Sequence, residues 1–160
     1  MTEDVHRRFG VDLNNSVWEG LDALRPGPSD PLAERERFLY SAYASAYHWM
    51  ETPTATAANR ARAEHLIARA AVAAGFPEIG LGHANRCLDL CETNLSEVED
   101  WDLAFAHEAM ARAAAAVGDE VLAREHFKIA EERGRAVEEE GDRNVFLDEL
   151  KRGPWFGFAG

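Results

Sequence analysis

The sequence predicts an all-α protein built from stacked helical hairpins. Apolar residues recur at three- and four-residue steps along most of the chain, which is typical of amphipathic helices. Segments rich in glycine and proline separate these stretches and predict turns. Gly75 and Gly118, which each follow such a stretch, lie 43 residues apart and indicate a repeated helical pair. We therefore expect about seven helices in one domain over residues 1–153, and no sheet.

The composition argues against several classes of partner. The chain has 160 residues, of which 46% are hydrophobic, and this is enough for a buried core. A formal net charge of -12 argues against binding to nucleic acid or to an anionic membrane surface. No apolar run reaches the ~18 residues that cross a bilayer, and the acidic start does not resemble a secretory signal. We expect a cytoplasmic protein.

The first predicted hairpin spans residues 2–50. Its first helix carries an apolar stripe at helical spacing, and Gly10 weakens the middle of that helix. The segment 25–29 contains two prolines and a glycine and predicts a turn. Asp30 is suited to cap the second helix, with Pro31 at the first helical position.

The second predicted hairpin spans residues 56–92. Thr56 is a candidate cap for its first helix. Gly75 suits the left-handed conformation that ends many helices, and Pro77 favours the start of the next helix.

The third predicted hairpin spans residues 96–137 and has the clearest boundaries. Ser96 and Glu99 have the spacing of a capping box. Gly118 predicts the end of the first helix, and Asp119 predicts the cap of the second. A short capping helix over 142–152 follows, and the chain closes with an aromatic tail over 154–160.

The third hairpin resembles the tetratricopeptide repeat. The family pattern is W-x2-L-G-x2-Y in one helix and A-x3-F in the next. The residues that carry the resemblance are His107-x2-Met110-Ala111-x2-Ala114 and then Ala123-x3-Phe127-x2-Ala130. Ala111 and Ala123 resemble the small residues that let paired helices approach closely, whereas His107 and Ala114 stand where the pattern has large Trp and Tyr. The resemblance implies a short right-handed superhelix of antiparallel hairpins.

The second hairpin shares the spacing of small residues. Ala68 and Gly80 are separated by the same interval as Ala111 and Ala123. The period of 43 residues exceeds the usual ~34 residues of a tetratricopeptide unit and implies longer helices or linkers. Each hairpin is expected to bury its apolar face against its neighbour.

The resemblance also implies a concave groove, lined by the first helix of each pair, that binds a protein or peptide. The residues that this register places in the groove are Arg62, His65, Arg69, Phe105, Glu108 and Arg112. Since Arg binds carboxylate through two parallel hydrogen bonds, the three arginines suggest a partner that offers a carboxylate. The alternative interpretation is a solvated helix face with weak Glu–Arg pairs.

The second helix carries tyrosines on one face. Tyr40, Tyr43 and Tyr47 follow each other at steps of three and four residues. They form either a core stripe with hydroxyls at the rim or one wall of a ligand groove, in which case Tyr43 and Tyr47 belong to the partner site. An alternative function is therefore a small-molecule- or metal-binding bundle, or an enzyme, built around Tyr43, Tyr47, His48 and His65.

No catalytic constellation, cofactor or metal site is predicted. Each of the first six predicted helices carries one histidine, but the paired Glu-x-x-His motif of di-iron bundles is absent from the sequence. His83, Cys87 and Cys91 form a stripe on a single helix, whereas zinc sites generally need ligands from a second element. Both cysteines are expected to be reduced core residues.

The tail contains three large aromatic residues, Trp155, Phe156 and Phe158, between glycines and a proline. Left exposed, they would favour association. The tail is expected either to fold back onto its own last hairpin or to insert into another copy and form a homodimer.

Overall fold

The computed structural model describes residues 3–160, and every regular element in this range is a helix. The helices are α1 (Glu3–Asp22), α2 (Leu32–Met50), α3 (Ala57–Ala73), α4 (Pro77–Thr93), α5 (Asp100–Val117), α6 (Glu120–Arg135) and α7 (Glu140–Lys151). No strand occurs among the described residues. The prediction of an all-α fold with seven helices is confirmed, and the predicted helical start at Thr2 lies outside the described residues.

The helices form two layers. Consecutive helices pack against each other, and α1 also packs on α3, α3 on α5, and α5 on α7. The first helices of the three hairpins therefore form one continuous inner layer together with α7, while α2, α4 and α6 form the outer layer. This neighbour-on-neighbour packing is compatible with a helical repeat.

Helix α5 is the centre of the molecule. Between Asp102 and Ala115, every residue except Phe105 is buried. Because alanine has the highest helix propensity and the smallest side chain of the helix formers, an alanine-rich helix can be surrounded closely on several sides. The helix packs against α3, α4, α6 and α7.

Small residues set the approach of the paired helices. A Cβ atom added to Gly80 in α4 would lie 2.5 Å from Cγ2 of Val72 and 3.0 Å from the carbonyl oxygen of Ala68 in α3. Gly134 has the same role between α6 and α7, where an added Cβ would overlap the ring of Phe146. Ala111 and Ala123, the small residues predicted for the third hairpin, are both fully buried.

Several predicted helix ends agree with the structure. The hydroxyl of Thr56 accepts a hydrogen bond from the backbone N–H of Asn59 at 3.3 Å. Gly118 has a φ of 87° and ends α5 in the left-handed conformation. Asp119 then caps α6 by accepting from the N–H of Leu122 at 3.0 Å.

Two predicted helix starts are displaced. Helix α5 begins at Asp100 rather than after Ser96, because the backbone N–H of Glu99 donates to the carboxylate of Asp102 at 2.9 Å and makes Glu99 the cap. Helix α2 begins at Leu32, because the carboxylate of Asp30 instead accepts from the N–H of Gly27 within the preceding loop.

Helix α7 also begins earlier than predicted. The carboxylate of Glu139 accepts from the N–H groups of Gly141 and Asp142 at 2.9 and 2.6 Å, so that it caps the helix. Helix α1 runs without a break past Gly10, over which the ring of Trp49 packs. Among the described residues, no helix is both long enough and apolar enough to cross a membrane.

Two glycines of α4 allow a matched test of the close packing between α3 and α4. We expect Gly80→Ala to lower the free energy of unfolding by about 1–2 kcal/mol, because the new methyl group overpacks the contact with Val72 and Ala68. A Cβ atom added to Gly82 would lie in open space. Gly82→Ala should therefore raise the free energy of unfolding by about 0.4–1 kcal/mol, because it restricts the unfolded chain without a clash in the folded one. Urea denaturation followed by circular dichroism measures both, and equal effects would contradict the packing argument.

Candidate functional site

The inner layer is concave. Asn14 and Trp18 of α1 line the same hollow as Trp101 and Phe105 of α5, although α3 lies between these two helices in the layer. At the other end of the face, an ion pair of 2.5 Å joins Asp22, at the end of α1, to Arg152, directly after α7. Two hollows open on this concave face.

The first is the aromatic hollow, with a volume of about 180 Å³. Its lining residues are Asn14, Trp18, Ala61, Arg62, His65, Cys87, Cys91, Trp101, Asp102 and Phe105. The ring of His65 stacks on Trp18 at a centroid distance of 5.9 Å and meets the edge of Phe105 at 5.4 Å. Trp101 meets Phe105 at 6.3 Å, so that the rings form a continuous wall.

Arg62 lies at the edge of the aromatic hollow and is already paired. Its guanidinium donates two hydrogen bonds of 2.9 Å to the carboxylate of Asp102. It also lies over the ring of Trp101, 4.3 Å from the centroid. The side chain of Arg62 keeps 38% of its surface exposed, so that its outer edge remains open to an approaching molecule.

Cys87 and Cys91 are buried free thiols in the wall of the aromatic hollow. A hydrogen bond with Cys91 and burial raise the pKa of Cys87 well above its ordinary value. A neutral thiol is a poor nucleophile, which agrees with a packing role for Cys87.

Glu108 is the centre of a buried ionic cluster. Its side chain is fully buried in α5 and accepts from Nε2 of His65 and from Arg69, each at 3.0 Å, and from Nε of Arg112. Arg69 also donates to the carboxylate of Glu149 in α7 at 2.9 Å. These residues connect α3, α5 and α7, and no buried side-chain nitrogen or oxygen among the described residues lacks a hydrogen-bond partner.

The cluster keeps Glu108 ionised. Burial disfavours the charged form, but Arg69, Arg112 and the hydrogen bond from His65 outweigh it and hold the pKa of Glu108 well below its ordinary range. A depressed carboxyl pKa stabilises the fold above the unfolded-state value of about 4.3, and this contribution is lost as the pH falls further.

Arg112 positions the tail. Its guanidinium donates to the backbone carbonyls of Glu149 and Arg152 at 2.9 and 2.8 Å. It also lies over the ring of Trp155, 4.2 Å from the centroid. The tetratricopeptide resemblance predicts that Arg69 and Arg112 are available to a partner's carboxylate, but the carboxylates that they bind are Glu108 and Glu149 of the chain itself.

The second is the arginine hollow, with a volume of about 490 Å³. Its lining residues are Gly20, Leu21, Leu24, Arg25, Pro26, Gly27, Pro28, Arg69, Val72, Ala73, Arg112, Arg152, Gly153, Pro154 and Phe156. It lies between the α1–α2 turn, the end of α3 and the start of the tail. The cluster around Glu108 separates it from the aromatic hollow, since His65 lines one and Arg69 the other.

The tyrosines of α2 lie outside both hollows. Tyr43 shares a hydrogen bond of 2.8 Å with Nε2 of His83 in α4, whose Nδ1 contacts Glu64 at 2.5 Å. Burial and the charge of Glu64 raise the pKa of Tyr43. Tyr47 is 56% exposed and meets the rings of His6 and His48. Neither tyrosine therefore joins the residues that the register placed in the groove.

The histidines pair in separate places. His6 of α1 and His48 of α2 face each other through their Nδ1 atoms at 2.9 Å, and His107 of α5 faces His126 of α6 in the same way. His65 instead contacts Glu108. The structure thus does not gather the four residues of the alternative site, Tyr43, Tyr47, His48 and His65. Among the described residues, no group of three or more His, Cys, Asp or Glu side chains is placed to hold a metal ion.

The tail folds back onto the last hairpin. The rings of Trp155 and Phe158 pack on Phe127 of α6 at centroid distances of 5.2 and 5.8 Å, and the indole N–H of Trp155 donates to the carbonyl of Leu150 at 3.1 Å. Phe156 is 39% exposed. Self-association through the tail stays a prediction, and of the three aromatic residues Phe156 is the one with an exposed ring to support it.

The sequence patterns do not indicate two of the acidic partners on this face. These are Asp102, which pairs with Arg62, and Glu149, which pairs with Arg69. The repeat does contain one usable signal: His65 and Glu108 lie 43 residues apart at equivalent positions, and stacked repeats bring equivalent positions of α3 and α5 together. Comparison with known proteins adds no family, since no family model, curated protein or solved structure matches the chain.

We expect Glu108→Gln to lower the free energy of unfolding at pH 7 by about 3–5 kcal/mol, because it leaves buried guanidinium groups without their shared counter-charge. Asp22→Asn also removes one carboxylate from an arginine pair, but that pair is exposed and should be worth less than about 1 kcal/mol. Urea denaturation of the two variants measures the difference. Similar losses would show that the cluster does not depend on the buried charge.

The His107–His126 pair predicts a pH dependence of stability. Burial, the neighbouring His126 and Arg133 lower the pKa of His107 to about 4. The unfolded chain therefore binds a proton near the ordinary value of about 6.5 that the folded chain takes up only near 4. Stability should fall by up to about 3 kcal/mol as the pH decreases between these values.

The measurement is urea denaturation at several pH values from 7 to 4.5, with wild type and His107→Gln. The variant should lose most of this pH dependence. The matched control is His48→Gln, which removes one histidine from the pair in the first hairpin. If the stability of His107→Gln falls with decreasing pH as steeply as that of the wild type, His107 is not the source of the pH dependence.

Proposed function

We propose that the protein is a peptide-binding adaptor of tetratricopeptide-like architecture, which holds an extended segment of a partner protein on its concave face. The observation that carries this proposal is the aromatic hollow, whose walls come from α1, α3, α4 and α5. A site formed between repeats is the arrangement in which helical arrays bind partners.

The size and lining of the aromatic hollow favour one ring of a partner as the anchor. A cavity of about 150 Å³ with apolar walls holds a benzene ring, and the hollow measures about 180 Å³. Its aromatic wall offers edge-to-face contacts to an inserted ring. Aromatic anchors in well-packed pockets carry much of the affinity in protein interfaces.

Polar groups at the edge of the hollow suit the backbone or a carboxylate of the same segment. Asn14 is half-buried and has both an amide donor and an amide acceptor. The exposed edge of Arg62 has further N–H groups beyond the two that Asp102 accepts. The proposed partner is therefore a peptide with an aromatic residue next to a carboxylate or a free carbonyl group.

A random peptide library displayed on phage tests the proposal. We expect selection on the wild-type protein to enrich peptides with a shared aromatic residue, and synthetic versions to bind in a calorimeter. Trp101→Ala should weaken this binding about tenfold or more, because it removes one wall of the hollow.

The control is Trp49→Ala, since Trp49 packs on α1 in the first hairpin, away from the hollow. Trp49→Ala should change the peptide affinity by no more than about twofold, which is less than the effect of truncating a residue that contributes to an interface. Peptides without a shared aromatic residue, or equal affinities for the two variants, would refute the proposed anchor.

A further inference from the structure

The arginine hollow differs from the aromatic hollow in size and chemistry. Its volume of about 490 Å³ lies in the range of small-molecule sites. Aliphatic and proline side chains supply most of its wall, among them Leu21, Leu24, Val72 and Pro154, and Phe156 adds one aromatic ring. Such a wall suits a flexible hydrocarbon chain.

The charged residues of this hollow all have the same sign. Arg25, Arg69, Arg112 and Arg152 line it, and no Asp or Glu is among its described lining residues. This is unusual in a chain with a formal net charge of -12. Arg69 and Arg112 are almost completely buried by their ion pairs, whereas Arg25 and Arg152 are exposed.

Three of the four arginines that line the hollow have an ion-pair partner within the chain, and the fourth, Arg25, has none in the part of the chain that the structure describes. Arg69 and Arg112 are balanced by Glu108 and Glu149, and Arg152 is balanced by Asp22. The guanidinium of Arg25 forms no hydrogen bond or ion pair with any other described residue. It lies in the exposed α1–α2 turn at the edge of the hollow.

The wall on the tail side is fixed in place. Arg112 donates to the carbonyl of Arg152 at 2.8 Å and contacts the ring of Trp155, and the Trp155 indole is bonded to the end of α7. The hollow is thus bounded by anchored backbone, and the binding of a ligand would not include the entropic cost of ordering the tail.

We infer that the arginine hollow binds a free aliphatic carboxylate of medium chain length. The hydrocarbon chain occupies the apolar wall between the α1–α2 turn and the tail, and the carboxylate binds Arg25 at the edge, because the other three arginines are already balanced by carboxylates of the chain. An uncharged chain lacks the ionic contact, and a short carboxylate lacks the apolar one. The inference is independent of peptide binding at the aromatic hollow.

Calorimetric titration of the full chain with four probes tests the inference. Decanoate should bind, whereas decanol and decylammonium have the same chain without the negative charge and should bind at least tenfold more weakly. Acetate has the charge without the chain and should show no binding at the same concentrations. These differences follow from the strength of a charge-assisted hydrogen bond, which corresponds to about tenfold or more in affinity, and from the area of chain that is buried.

Arg25→Gln is the decisive variant, and Arg60→Gln is its matched control. Both residues are exposed and both changes remove one positive charge, but Arg60 lies outside the arginine hollow. Arg25→Gln should weaken decanoate binding about tenfold, and Arg60→Gln should leave it unchanged. Ala73→Phe, which fills the hollow from the end of α3, should abolish binding in a protein of unchanged helical content.

Several outcomes would overturn the inference. These are no binding of decanoate, equal binding of decanol, and equal effects of the two arginine substitutions. A peptide with an apolar C-terminus that displaces decanoate at lower concentration would assign the hollow to a protein partner instead. Trp101 lines the other hollow, so Trp101→Ala should leave decanoate binding unaltered. Loss of peptide binding and loss of decanoate binding are therefore separate results, and each proposal can fail without the other.

Discussion

The ionised side chain of Glu108 is the constraint on which the rest of the structure depends. A fully buried carboxylate is costly unless charged and hydrogen-bonding groups surround it, and here α3 provides Arg69 and His65 while α5 provides Arg112. These arginines also bind α7 and the start of the tail. One buried charge therefore sets the relative positions of three inner helices and of the segment that follows them.

The cluster also explains why the concave face contains two hollows instead of one continuous groove. Long polar side chains fill the middle of the face, and their charges are neutralised there. On one side of them the layer opens into the aromatic hollow between α1 and α5, and on the other side into the arginine hollow between the α1–α2 turn and the tail. The two sites differ in chemistry because Trp18, Trp101 and Phe105 line one, whereas mainly aliphatic and proline residues together with four arginines line the other.

The 43-residue repeat gives equivalent positions different chemical roles. Arg69 and Arg112 are equivalent and both bind Oε1 of Glu108, but Arg69 also binds Glu149, whereas Arg112 holds the start of the tail. At the outer contact of each pair, the second hairpin joins Glu64 to His83, while the third joins two histidines. The first hairpin departs furthest, since the turn between α1 and α2 is longer than the turns within the other two hairpins, and that turn becomes a wall of the arginine hollow.

The sequence by itself determined the helices, the close approach of their pairs and several of their ends. These features depend on apolar spacing, on small residues such as Gly80, and on caps such as Thr56 and Gly118, whose hydrogen bonds reach only a few residues along the chain. The predicted cap at Ser96 is wrong by three residues, because Glu99 caps α5 through a hydrogen bond to Asp102 that competes with the Ser96 capping box.

Only the tertiary structure decided which charged groups are satisfied within the chain. Arg62 lines the aromatic hollow, and Arg69 and Arg112 line the arginine hollow, but their availability to a partner depends on carboxylates that the fold brings from distant segments. Glu149 lies 80 residues from Arg69, and Asp22 lies 130 residues from Arg152. Helix periodicity fixes the face on which a side chain lies, whereas its ionic partner depends on how whole helices stack and where the tail returns.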